Sequence, residues 1–168
     1  MPKISGLALG EIQKVSGLGL GSIQKVSGLG LGLLWQSISQ LGMVKNGDFT
    51  VPTTYGTVTG WTAETGTTLS GNGIQVTTAG NYTIATNLTI KNNETFVTRQ
   101  ISLRLRRAGV TLAEGSVVTL SANSSQPYTL SDVSRAYSVG DIVTLEADAN
   151  GANGALLSGG TVRLVPAV

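Results

Sequence analysis

Between residues 82 and 90 the chain alternates: Tyr82, Ile84, Thr86, Leu88 and Ile90 stand at every second position, separated by polar or small residues. A period of two is the period of a β-strand, in which successive side chains point to opposite faces. One face of this segment therefore meets a core and the other meets water. The pattern recurs downstream. Residues 97–107 place Ile101, Leu103 and Leu105 on one face and Ser102, Arg104 and Arg106 on the other. Residues 115–122 turn Val118, Leu120 and Ala122 inward, and residues 131–137, 142–147 and 161–165 supply further strands. Asn92-Asn93, Arg107-Ala108-Gly109-Val110 and Val139-Gly140-Asp141 punctuate them as turns. Turn signals about every 8–12 residues are the spacing of a β-sandwich or jelly roll. The expected class is all-β.

Composition fits that class and removes several functions. Aromatic residues are 5% of the chain, so the core has to come from Val, Ile, Leu and Ala, with Thr, Ser, Asn and Gly in turns and on solvent faces. Charged residues are 12% and the net charge is +2, too few for the clustered basic surface that phosphate contacts require. No nucleic-acid partner is expected. Cysteine and histidine are both absent, which removes disulfides, thiolate metal sites, the commonest general base and the commonest metal ligand. Nine Asp and Glu residues remain, mostly isolated in sequence, and no carboxylate pair stands in a recognisable motif. The chain is expected to be non-catalytic, without cofactor. The opening residues lack a charged segment followed by an apolar run, so synthesis in a cytoplasm-like compartment is expected. The most apolar stretch, residues 28–35, is far shorter than the ~20 residues a spanning helix needs, and no membrane insertion is expected.

The N-terminal 35 residues follow a different rule. Residues 3–13 read KISGLALGEIQ, residues 14–24 read KVSGLGLGSIQ and residues 25–35 read KVSGLGLGLLW, a repeat with a period of 11. An 11-residue period also suits a right-handed helical coil. However, the second and third copies each carry three glycines, at about 1 kcal/mol apiece in a helix interior. The alternation Leu18-Gly19-Leu20-Gly21 suits a strand with a leucine face and a bare glycine face open to another backbone. Such a ribbon cannot bury its leucines alone and needs partner ribbons. The competing reading is a flexible glycine-rich leader, although linkers of that kind are poor in the Ile, Val and Leu found in every copy. The expected anchor residues are Leu7, Leu9, Leu18, Leu20, Leu29, Leu31, Leu34 and Trp35. These repeats, closing on Leu34-Trp35, resemble the N-termini of bacteriophage minor tail proteins, departing from them in having Ser-Gly where an aromatic or apolar residue is common. The resemblance implies a virion component, assembled in the host cytoplasm and held by other virion proteins.

Residues 36–72 read as a connector with short strands, with a turn signal at Asn46-Gly47. Asn46-Gly47-Asp48-Phe49 followed by Gly60-Trp61 is similar to the start of carbohydrate-binding sandwiches and virion appendage domains, yet a large aromatic such as Trp61 usually serves the core. Within residues 73–168 several pieces resemble the globular heads of complement-type and tumour-necrosis-factor-like proteins. They are Ala79-Gly80-Asn81-Tyr82-Thr83-Ile84, then Leu103-Arg104-Leu105-Arg106-Arg107-Ala108-Gly109, then Val139-Gly140-Asp141-Ile142-Val143-Thr144-Leu145. Leu157-Ser158-Gly159 stands where that family usually has Phe-Ser-Gly. The resemblance implies a jelly roll and a homotrimer, and a trimer would supply the partner ribbons.

Three segments raise the question of a ligand. Gly80 and Gly140 are explained by turn chemistry, and Asp141 is expected to bond turn amides. Residues 148–154, reading DANGANG, superficially look like a calcium loop, but no acidic residue follows to complete the ligand set. Arg104, Arg106 and Arg107 form a local basic cluster, open to an acidic glycan or a neighbouring subunit's carboxylate, with a solvated sheet face as the simpler reading. The expected organisation is a repeat arm over 1–35, a connector over 36–72 and a jelly roll over 73–168. The expected function is a phage minor tail or capsid-surface protein, with a host-surface glycan-binding module as the alternative.

Overall fold

A computed structural model describes residues 14–15, 18–19, 38–130 and 134–167. The chain divides into two compact units, Met1–Ser37 and Ile38–Val168. In the first, β1 (Lys14–Val15) pairs antiparallel with β2 (Leu18–Gly19), Val15 opposite Leu18. Strand rather than helix is therefore the conformation of those repeat residues. Of the expected anchor residues, Leu7, Leu9, Leu20, Leu29, Leu31, Leu34 and Trp35 lie outside the described residues, as does the expected strand start at residues 131–133.

The second unit is a two-sheet sandwich with no helix among the described residues. It is built from β3 (Leu41–Lys45), β4 (Phe49–Thr50), β5 (Gly56–Thr57), β6 (Trp61–Ala63), β7 (Thr68–Ser70), β8 (Gly73–Gln75), β9 (Gly80–Asn92), β10 (Arg99–Arg107), β11 (Val110–Glu114), β12 (Val118–Leu120), β13 (Ser124–Tyr128), β14 (Ser134–Tyr137), β15 (Ile142–Asp148) and β16 (Ala155–Pro166). One sheet, the polar sheet, runs β11-β10-β15-β8-β7, with β12 on β10 and β5 on β15. The other, the neutral sheet, runs β13-β9-β16-β3-β6, with β14 on β9 and β4 on β16. From β8 onward the chain passes back and forth between the sheets, the connectivity of a jelly roll.

Periodicity explains which side chains close the core. In β9 Tyr82, Ile84, Leu88 and Ile90 are buried, and in β10 Ile101, Leu103 and Leu105 face them. Each such side chain contributes about 1.5–3 kcal/mol on leaving water. Tyr82 meets Tyr137 edge to face at 5.9 Å. The expected hairpin turn is present: Ala108 and Gly109 take φ of 47° and 83°, a two-residue turn whose twist matches the strands.

The structure differs from expectation in two places. The compact unit begins at Ile38 rather than at 73, because β3 pairs with both β16 and β6 and puts Leu41 and Met43 into the core. The last strand starts at Ala155, so Ser158-Gly159-Gly160 lies inside β16 rather than before it. A register shift between Leu157 and Gly159 absorbs the glycines as a bulge. Gly160 has φ 118°, and a Cβ there would stand 2.1 Å from the Asn87 carbonyl oxygen, so only glycine fits.

The long strands define two ends. At the lower end Ile38 packs on Gly80, and the Ala167 amide donates to the Asn81 carbonyl (2.9 Å), so the chain enters and leaves this unit there. At the upper end lie the β9–β10, β12–β13 and β15–β16 loops.

Candidate functional site

The expected basic cluster sits on the outer face of the polar sheet and at its lower edge. There, strand pairing sets each guanidinium beside a carboxylate far away in sequence. Arg104 lies directly opposite Glu146 in the β10–β15 ladder. Its Nε and Nη2 both reach Glu146 Oε2 at 2.7 Å, and Arg106 Nη1 reaches the same oxygen at 3.4 Å. Arg107 Nη1 donates to the Ala136 carbonyl (2.8 Å) and to Asp141 Oδ2 (3.3 Å). Tyr55 folds over the patch from the β5 side, its ring centroid 3.7 Å from the Arg104 guanidinium carbon. Tyr55 Oη donates to Glu114 Oε1 (3.0 Å), leaving its lone pairs to accept from Ser102 Oγ (3.0 Å). Burial pushes the Tyr55 phenol up, so it stays protonated and able to donate.

The arginines, expected to be open to an acidic glycan or a neighbouring subunit's carboxylate or to lie on a solvated face, are here engaged by carboxylates of their own chain. Three guanidiniums meet two carboxylates, Glu146 and Asp141, with Glu114 joined to the patch through Tyr55 Oη, and the arginine side chains are only 20–30% exposed. The cluster is a closed, neutral network. Asp141 has the expected structural role, since its Oδ2 also accepts the Ser138 amide (2.8 Å). Asp148 is likewise spent on a turn, accepting the Asn150 amide at 2.7 Å. No metal-binding cluster occurs among the described residues. Trp61 packs against the core and donates Nε1–H to the Val58 carbonyl (2.9 Å), which is the core role expected.

Two surfaces stand out that sequence reasoning missed. The first is the outer face of the neutral sheet. Thr83, Ala85, Asn87 and Thr89 of β9 stand beside Thr161 and Val165 of β16, all small and uncharged. Charge enters this face through Arg163, opposite Ala85 and bidentate to Glu64 at 2.6–3.0 Å over Gly42, and through Lys91 near the upper end of β9. The Arg163 bonds hold the Glu64 carboxyl below its ordinary range against the opposing effect of burial. At the far margin of the same sheet Lys45 is buried and caps the β3–β4 turn, donating Nζ to the carbonyls of Asn46 (3.1 Å) and Gly47 (2.6 Å).

The second is the upper end. Asn92, fully buried, ties the β9–β10 loop down. Its Nδ2 donates to the carbonyls of Val97 (2.7 Å) and Ser121 (3.0 Å), and its Oδ1 accepts the Glu94 amide (3.0 Å). The Asn123 amide donates to the Glu94 carbonyl (2.9 Å), and Glu94 pairs with Arg99 at 3.6 Å. Between these fixed points Phe96 stands 94% exposed, with Val97 at 45% beside it. Sequence gave one signal for the clamp, the Asn92-Asn93 turn, and none for the bare ring.

Among solved structures the chain is similar to Eiger TNF from S. frugiperda, with a TM-score of 0.55 and 16% identity over 77% of this chain and 92% of that one. It is also similar to the globular domain of zebrafish complement 1qA protein, with a TM-score of 0.50 and 12% identity over 75% of this chain and 95% of that one. The fold is the TNF/C1q-like jelly roll. No protein-family model and no curated protein matches the chain. In this TNF/C1q-like frame the two long central strands, β9 and β16, carry the neutral outer face.

Proposed function

We propose that the chain is a homotrimeric structural component of a bacteriophage virion, a minor tail or capsid-surface protein. In this reading its N-terminal repeat holds it to other virion proteins and its jelly roll is displayed. The observation that carries the trimer is the outer face of the neutral sheet, built mainly of short side chains, with its central charge Arg163 paired to Glu64. The β9–β16 ladder covers residues 82–92, about 35 Å of strand, and five strands span about 24 Å. The product, roughly 800 Å², is of the order each partner commits to a stable interface. Flat faces of short side chains let sheets approach closely, and a heterologous contact repeated around a three-fold axis closes on itself. The similarity of the repeats to phage minor tail N-termini supports the virion location.

Sedimentation equilibrium of the full chain should give three copies. Ala85→Arg sets a second, bulky guanidinium directly opposite Arg163 in the middle of this face, at an exposed position, and should yield a folded monomer. A wild-type monomer at micromolar concentration refutes the trimer. Absence of the protein from purified particles refutes the virion reading. A variant lacking residues 1–35 should fold but fail to enter particles. The alternative, recognition of a host-surface glycan, finds no support at the arginines and finds it instead at the upper end.

A further inference from the structure

The upper end combines an exposed ring with exposed amides. Loops 93–98, 121–123 and 149–154 hold Asn93, Asn123, Asn150 and Asn153, all exposed, and Gln100 bonds the Asn150 side-chain amide beside them. The loops touch one another: Asn123 bonds the Glu94 carbonyl, and Gly154 lies against Arg99 and Glu94. Glu94 is the one formal charge in the three loops, and Arg99 faces it.

We propose that this end is a binding site for neutral oligosaccharide, with Phe96 as the ring on which a sugar stacks. Planar amides both donate and accept, which suits vicinal hydroxyls, while an aromatic face suits the apolar C–H face of a pyranose. The Asn92 clamp fixes the loop on both sides of Phe96, so the ring is held out rather than left out, and little ordering is lost on binding. Charge argues against the other occupants. The three loops themselves hold no basic residue to attract an anionic lipid surface or a sialylated glycan, Arg99 beside them is paired with Glu94, and Lys91 lies outside them on the outer face of β9. One Phe and one Val among amides make a smaller apolar patch than the core of a protein interface. The proposal deepens the glycan reading and does not depend on the trimer, since oligomeric state and binding are measured separately.

The test is the full chain on an array of neutral oligosaccharides of hexoses and N-acetylhexosamines, with sialylated and uronic-acid glycans for comparison, followed by calorimetric titration of the strongest binder. Wild type should bind neutral glycans. Phe96→Ala should weaken binding about tenfold with unchanged melting temperature, because the ring packs on nothing. Phe96→Leu should weaken it similarly, and Phe96→Tyr should retain it. Any of four results overturns the proposal: no neutral glycan binds, only charged glycans bind, Phe96→Leu binds as wild type, or Phe96→Ala dissociates the oligomer. The last would make the ring a subunit contact.

Discussion

Asn92 tests the reasoning most directly, because one buried side chain holds three segments together. Asn92→Ala removes the bonds to the Val97 and Ser121 carbonyls and to the Glu94 amide, together with a longer contact to the Leu120 carbonyl at 3.4 Å. At about 1 kcal/mol net per bond, the three good ones amount to about 3 kcal/mol. Val97 and Ser121 are exposed, so their carbonyls regain water, whereas Leu120 is 1% exposed and its carbonyl stays dry, adding roughly 1 kcal/mol. The expected loss is about 4 kcal/mol, or a melting temperature about 15 °C lower for a domain of this size. Asn92→Asp separates hydrogen bonding from packing. It keeps the acceptor for Glu94 but turns an oxygen toward the Val97 and Ser121 carbonyls, so its folded carboxyl should titrate well above the usual ~3.9. A raised folded pKa means that stability is fully present below the unfolded value and is lost as pH rises through the folded one. The Asp variant should therefore fall furthest behind wild type at pH 7 and regain ground toward pH 4. Urea unfolding followed by Trp61 fluorescence at both pH values measures this. A loss under about 1 kcal/mol in Asn92→Ala, or a parallel pH slope in Asn92→Asp, refutes the clamp.

Gly160→Ala should cost at least about 3 kcal/mol or prevent folding, since its Cβ would meet the backbone of Asn87 and Leu88 at an unfavourable φ; thermal melting reads the effect. Arg104→Ala should cost about 1–2 kcal/mol by removing the Glu146 partner and uncovering Tyr55, and Arg104→Lys should recover part of it; a double-mutant cycle with Glu146→Gln gives the coupling. The Glu64 carboxyl is depressed chiefly by hydrogen bonding to Arg163, so its contribution is present above the unfolded carboxylate pKa and is lost as pH falls through the lower, folded one. Glu64→Gln should flatten the acid side of the stability profile, by no more than about 1 kcal/mol because the Arg163 side chain is 42% exposed.

Sequence alone determined which way the strands face. Alternation is a local property of a strand, so Tyr82, Ile84, Leu88 and Ile90, and likewise Ile101, Leu103 and Leu105, could be assigned to the core from spacing, and Ala108-Gly109 could be assigned to the turn between β10 and β11. It did not reveal what lies opposite those faces. Arg104 and Glu146 are 42 residues apart and Arg107 and Asp141 are 34 apart, and they meet only because the strand order sets β15 beside β10. Sequence placed the last strand only at 161–165; pairing on both sides, with β9 and with the β3–β4 edge, extends β16 back through Ser158-Gly159-Gly160 although local propensity disfavours glycine in a strand. The burial of Asn92 and the exposure of Phe96, four residues on, invert ordinary preference, and tertiary structure decided both. The β9–β10 loop and the β12–β13 corner converge to give the asparagine its partners, and no element of this unit covers the ring.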